Sequence, residues 1–308
     1  NFIAEARFVR ALSYLHLTLG WGDVPLITKP TVSVGEELNV TTAPSAEVYA
    51  QIIADFEYAA ANLNPALSLE ATPAAANGFL ARIALYQGRW SDAYTLATGV
   101  LGADFDLSSF AFLADEIFYL NFASTDGNSL AFFYGTAALN GRHSIEPSAK
   151  LLNDTYEAGD LRIPATFAYD SENTPYGNKY NEFNAATGSQ TDPVLFMRHA
   201  ELVLIAAEAA ARASDFTNAN AWFNQVRARA GVADITLDAG NFEDVILLER
   251  QRELALESGH RLWDLRRTGK ALEVLGPLGY DACDNVWGLP QRDIDRNPNL
   301  AQNGCCNC

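Results

Sequence analysis

The chain has 308 residues, 49% of them hydrophobic and 11% aromatic, enough apolar material for one large core or two modest ones and too much for wholesale disorder. Its 38 Asp and Glu against 21 Lys and Arg leave a net charge of −17, which repels a polyanion and argues against nucleic acid as a partner. No run approaches the roughly 20 apolar residues of a membrane-spanning helix.

The first element is a helix. Phe8, Leu12, Leu15 and Leu19 recur at helical spacing until Gly20, and Asp23, Pro25 and Pro30 mark a loop. Because the chain opens at Asn1 already inside this helix, a preceding segment is expected. A second helix is predicted from Ser45, an N-cap candidate, to Leu63, with Val48, Ile52, Phe56 and Ala59 on one face and Asn64-Pro65 ending it.

From Pro73 to Leu101, small and large apolar residues alternate on either side of Gln87-Gly88, the pattern of a tetratricopeptide-like hairpin in which alanines let paired helices approach closely. The layout returns from Met197 to Ala230 around a turn at Ser214-Asp215. Trp90, Trp222 and Trp263 fall at core positions of such helices. The expected fold class is therefore mainly α. Helical hairpins over 1–101 and 193–275 form a scaffold, with a loop-rich insertion over 102–192 containing short strands such as Leu130–Tyr134, and an extended tail over 276–308.

Long irregular excursions from a rigid scaffold are where binding commonly sits. The candidate ligand residues are Tyr156, Tyr169, Tyr176, Lys179 and Tyr180, to which Phe183 and nearby asparagines add polar and aromatic surface, together with Trp21 between Gly20 and Gly22. Rings with neighbouring polar groups suit a sugar's C–H face and its hydroxyls. The same rings also serve to pack loops onto a scaffold, and both roles stay open at this point.

Cys283, Cys305, Cys306 and Cys308 are confined to the last 26 residues. A disulfide staple is the first expectation and a zinc site the second, since the spacing lacks C-x2-C. There is no H-E-x-x-H, G-x-S-x-G, P-loop or G-x-G-x-x-G, and the four histidines are scattered, so neither catalytic machinery, a metal nor a cofactor is expected.

The segment Asn241 to Leu275 predicts two helices flanking Gly259. Glu249, Arg252, Glu253 and Glu257, and again Arg261, Asp264 and Arg267, fall at i, i+3 and i+4 intervals that allow interlocking ion pairs along the helix surface. The order of residue types from Glu249 to Gly269 closely resembles the signature of the SusD/RagB family of nutrient-binding outer-membrane lipoproteins. Four further stretches resemble that family in chain order. These are Ala4–Thr28 with its Gly-Asp-Val-Pro-Leu exit, Asp160-x-Arg162, Arg198-x-Ala200-Glu201, and Leu289–Asn303.

The resemblance implies a cell-surface binding protein, lipid-anchored on the outer face of the outer membrane or otherwise secreted. It further implies capture of an oligosaccharide or peptide and delivery to a SusC-like TonB-dependent transporter, which the protein caps as a lid without catalysis. The contrasting expectation is a helical-repeat assembly protein of an extracellular structure, crosslinked through its cysteine tail.

Overall fold

A computed structural model describes residues 1–308 except 34–38, 66–70, 103–104, 106, 108–114, 124, 182–190 and 305–308. In chain order the helices are α1 (Phe2–Trp21), α2 (Ser45–Asn62), α3 (Pro73–Tyr86), α4 (Trp90–Leu101), α5 (Leu130–Tyr134), α6 (Ala149–Asn153), α7 (Ile163–Thr166), α8 (His199–Arg212), α9 (Phe216–Arg229), α10 (Phe242–Glu253), α11 (His260–Arg267), α12 (Ala271–Leu275) and α13 (Gln291–Arg296). The strands are short: β1 (Glu116–Leu120), β2 (Phe167–Tyr169), β3 (Pro175–Gly177) and β4 (Val194–Arg198). The chain divides into two compact units, one comprising residues 1–66, 71–76 and 262–308, the other 67–70 and 77–261.

In the first unit α1 packs on α2. Phe8 meets Phe56 edge to face with ring centroids 5.4 Å apart, and Arg10 forks onto the buried Asp55 through Nε and Nη2 at 2.7 and 2.8 Å. The tail signature closes on the end of α1. Leu289 N–H donates to the Gln302 side chain, which donates back to the Leu289 carbonyl, while Asn303 donates to the carbonyl oxygens of Trp21 and Trp287. Gly20 is required here, because a Cβ would stand 2.7 Å from the Trp287 ring. Cys283 is half-buried in a short 3-10 helix, Ala282–Asn285, and Cys305, Cys306 and Cys308 lie outside the described residues.

In the second unit α8 is the hub, with every residue from Ala200 to Ala211 buried. It packs against α4, α9 and α10, and its alanines keep the backbones close. The second hairpin thus stacks directly on the first, although about 100 residues of sequence separate them. The insertion that interrupts the array in sequence does not interrupt it in space.

β1 of the insertion pairs antiparallel with β4, just beyond it, and β2 pairs with β3. Leu130–Tyr134, expected as a strand, is instead a helical turn, α5. A continuous apolar run of five residues cannot distinguish a strand from a single helical turn; here Asn128 accepts from the Leu130 N–H at 2.8 Å where the turn begins. Tyr134 then stacks on Tyr180, centroids 6.1 Å apart and nearly parallel, to make a small buried cluster with Ala131. Trp263 is buried as expected, whereas Trp90 and Trp222 are half-buried.

Candidate functional site

The residues of the sequence signature meet in a buried charge cluster of the second unit. Arg162, at the start of α7, grips Asp160 through Nε and Nη2 at 2.9 and 2.8 Å and reaches Glu249 at 2.7 Å and Glu253 at 3.4 Å through Nη1. Arg198, at the end of β4, places Nε and Nη2 on Glu257, each at 2.9 Å, Nη2 also on Glu253 at 3.1 Å, and Nη1 on Asp115 at 3.0 Å. Arg229 joins Asp115 to Glu253. Arg227 and Arg252 both bind Glu157 and Glu249, and Lys179 donates to Glu257 and to the Glu253 carbonyl.

Six cations, Arg162, Lys179, Arg198, Arg227, Arg229 and Arg252, therefore face six carboxylates, Asp115, Glu157, Asp160, Glu249, Glu253 and Glu257. Charge balance at this density is what permits burial, since an unpaired ion would not stay charged in such surroundings. Burial alone would raise the Glu253 carboxyl, yet Arg229, Arg198 and Arg162 hold it far below the usual range. For Lys179 the balance goes the other way: burial pulls its ammonium below the ordinary lysine value despite Glu257.

This arrangement corrects one expectation. The signature's charges were expected along a helix surface, but Glu249, Arg252, Glu253 and Glu257 are buried and paired across the chain with residues 115–229. Arg261, Asp264 and Arg267 are not joined to the cluster by the contacts just described. Arg261 approaches the Leu247 carbonyl at 3.5 Å, and Asp264 pairs with Arg267 at 2.8 Å in the first unit.

Of the candidate ligand residues, Lys179 and Tyr180 are only 6% and 2% exposed. Lys179 is committed to the cluster and Tyr180 to Tyr134, so both hold the insertion in place and do not face a ligand. Tyr156 is half-buried, with its hydroxyl donating to the Arg252 carbonyl at 2.9 Å. Trp21 is half-buried against Trp287, which is itself 43% exposed, and its Nε1 donates to the Gly288 carbonyl at 3.1 Å.

Tyr169 and Tyr176 remain on the outer β2–β3 hairpin, Tyr169 half exposed and Tyr176 half-buried. The hairpin turns at Asp170, which accepts from the N–H groups of Glu172 and Thr174, each at 2.9 Å. Gly177 seats its base, where a Cβ would meet Tyr134 at 2.8 Å. Phe183 lies outside the described residues. Spacing gave no sign of Asp115, Glu157, Arg227 or Arg229, which belong to other elements and meet the signature only through the fold.

Beside the cluster, Glu116 opens β1. Burial, then the adjacent Asp115, pushes its carboxyl up to about 7 from the ordinary 4.5, with Arg198 opposing. A carboxyl raised in the folded state contributes stability that is present below the unfolded value and lost as pH rises through the folded one. Glu116→Gln, which stays neutral, is accordingly expected to match the parent near pH 4 and to become the more stable of the two as pH rises from 4.5 to about 7. Urea midpoints across that range test it, and parallel curves would refute the assignment.

Together these features define a class of protein: a helical-hairpin scaffold whose intervening segment is locked down by a buried, charge-balanced cluster. Two family models match, the SusD family over residues 170–284 and "Starch-binding associating with outer membrane" over residues 1–85. The SusD-like protein P38 of Formosa agariphila is 27% identical over 98% of this chain and 73% of its own length. A laminarin binding SusD-like protein superposes with a TM-score of 0.81 at 26% identity, covering 99% of this chain and 78% of that one. A SusD superfamily structure from Bacteroides vulgatus gives a TM-score of 0.85 at 19% identity over 98% and 77% of the two chains. The chain belongs to the SusD/RagB family.

Proposed function

We propose that the protein captures a glycan at the cell surface and passes it to a TonB-dependent outer-membrane transporter of the SusC type, acting as its lid and catalysing nothing. The observation that carries this is the 26% identity with the laminarin binding relative along 99% of the chain. The starch-binding, outer-membrane description of the family model over residues 1–85 supports it. Among the described residues no helix is long and apolar enough to cross a membrane, which fits attachment by a lipid anchor or through the transporter. The exposed Tyr169 ring, opposite Pro175 on the hairpin, offers the flat face that a sugar's C–H surface needs.

Calorimetric titration of the full-length protein with laminarihexaose, maltohexaose and a peptide of similar length tests the assignment, with a reducing-end assay run on the same samples. One of the glycans is expected to bind without being cleaved, and Tyr169→Ala to weaken that binding several-fold at an unchanged melting temperature. Binding confined to the peptide, or turnover of a glycan, would overturn it.

A further inference from the structure

The first unit carries a cleft that involves neither the buried charge cluster nor the aromatic hairpin. It is an open depression of about 670 Å³, a volume within the range of about 300 to 1,000 Å³ usual for small-molecule sites. It lies between the outer face of α1, through Ile3, Arg7 and Arg10, the segment from Ile27 to Pro30, and Gln51 of α2.

Its charge is opposite to that of the chain. Among the described residues Arg7, Arg10 and Lys29 line it and no acidic one does, although acids outnumber bases 38 to 21 overall and lysine occurs at only four positions. One of the three cations is already engaged: Arg10 is forked onto Asp55 and donates from Nη1 to the Thr28 carbonyl at 3.2 Å. Arg7 is placed differently. Its guanidinium lies over the Tyr58 ring, 4.0 Å from the centroid, with Asp55 at 3.9 Å, beyond hydrogen-bond reach, and its side chain is 38% exposed. Stacking of this kind holds the guanidinium plane while leaving its N–H edge to meet an oxyanion bidentately. Lys29 is exposed on the facing segment and adds a second donor. The walls between them, Ile3 at 64% and Ile27 at 53% exposure, are apolar.

We infer that this cleft binds a sugar residue bearing a carboxylate or sulfate, with Arg7 and Lys29 holding the oxyanion and Ile3 and Ile27 flanking the ring. The inference rests on the glycan-binding reading above and adds a substrate class to it. A net charge of −17 repels an anionic chain from most of the surface, so a local excess of cations is the place where such a ligand can dock.

The experiment is calorimetric titration of the full-length protein and of Arg7→Gln, Arg7→Lys, Lys29→Gln and the Arg7→Gln/Lys29→Gln double variant. The probes are hexagalacturonate, sulfated laminarihexaose, neutral laminarihexaose and a hexaglutamate peptide. At least one of the two anionic sugars is expected to bind, about 10-fold more weakly to each Gln variant, with Arg7→Lys intermediate and with affinity falling as salt is raised; which one binds separates carboxylate from sulfate. Lys29 is exposed, so its substitution reports on binding without endangering the fold. Anionic binding that is unchanged in the double variant overturns the inference, as does binding of neutral laminarihexaose alone, and both leave the glycan reading standing. Binding of hexaglutamate alone, with the same dependence on Arg7 and Lys29, overturns both and makes the cleft a site for acidic peptide. Failure of every probe to bind overturns the inference and leaves the glycan reading to the maltohexaose titration.

Discussion

Arg198→Met is expected to lower the unfolding free energy of the second unit by about 3 to 5 kcal/mol, the cost of breaking a buried ion pair from one side. Arg198 spends its guanidinium on three carboxylates at once, Asp115, Glu253 and Glu257, and on the Glu253 carbonyl. Burial by itself would lower its pKa, but Glu257, Asp115 and Glu253 together outweigh burial and hold it well above the ordinary arginine value. Methionine fills much of the same volume, so the loss is one of charge and not of packing. Glu257 would retain Lys179, and Glu253 would retain Arg229 and Arg162. Asp115 would keep only Arg229 of the pairs described here, and the adjoining Glu116, already raised by that carboxylate, would feel it more strongly. Arg198→Lys keeps a charge but not the planar fork, so it is expected to fall between the two. Urea unfolding followed by far-ultraviolet circular dichroism measures the series. A loss under about 1 kcal/mol for Arg198→Met would mean that the cluster's charges relax into water and are not held by one another.

The scaffold was legible because helix packing is a local, periodic problem. Phe8, Leu15 and Ala11 recur on one face of α1, the alanines of α8 announce close approach, and both hairpin turns fall where Gln87-Gly88 and Ser214-Asp215 break the pattern. The charge cluster was only half legible. Spacing identified Glu249, Glu253 and Glu257 as one helical face, and the family resemblance picked out Asp160, Arg162 and Arg198, but nothing in one dimension says that these two sets touch. Periodicity also could not tell an outward charged face from one turned into the protein. The number of opposite charges brought by other elements decides that, and Asp115, Arg227 and Arg229 have no pattern of their own. For the same reason Lys179 looked like a ligand contact. A lone lysine among tyrosines on a loop resembles a binding residue until Glu257 is placed against it. The basic cleft was invisible for a different cause: Arg7, Lys29 and Gln51 come from three segments and are ordinary residues in each.

A second pair in the same unit separates the role of buried charge from its stability. Arg82 of α3 forks onto Glu201 of α8 through Nε at 2.7 Å and Nη2 at 2.6 Å, and Nη2 also donates to the Phe196 carbonyl of β4. Both side chains are buried, with His260 Nε2 3.7 Å from the carboxylate and the Phe79 ring 4.9 Å from the guanidinium carbon. Burial opposes ionisation of Glu201, but Arg82 and His260 prevail and keep its pKa below the ordinary value. Arg82→Met alone removes the guanidinium forked onto that buried carboxylate, leaving it only the more distant His260 and Arg250, and is expected to cost about 3 to 5 kcal/mol. The double substitution Arg82→Met/Glu201→Leu removes both desolvated charges. It is expected to recover most of that loss, leaving about 1 kcal/mol for the Phe196 carbonyl that no longer has its donor. Matched urea titrations of the parent, the two single variants and the double variant give the coupling energy directly. A double variant no more stable than Arg82→Met would show that the pair contributes through its geometry, by tying α3 to β4 at the point where α8 begins, and not merely by satisfying two charges that burial had made expensive.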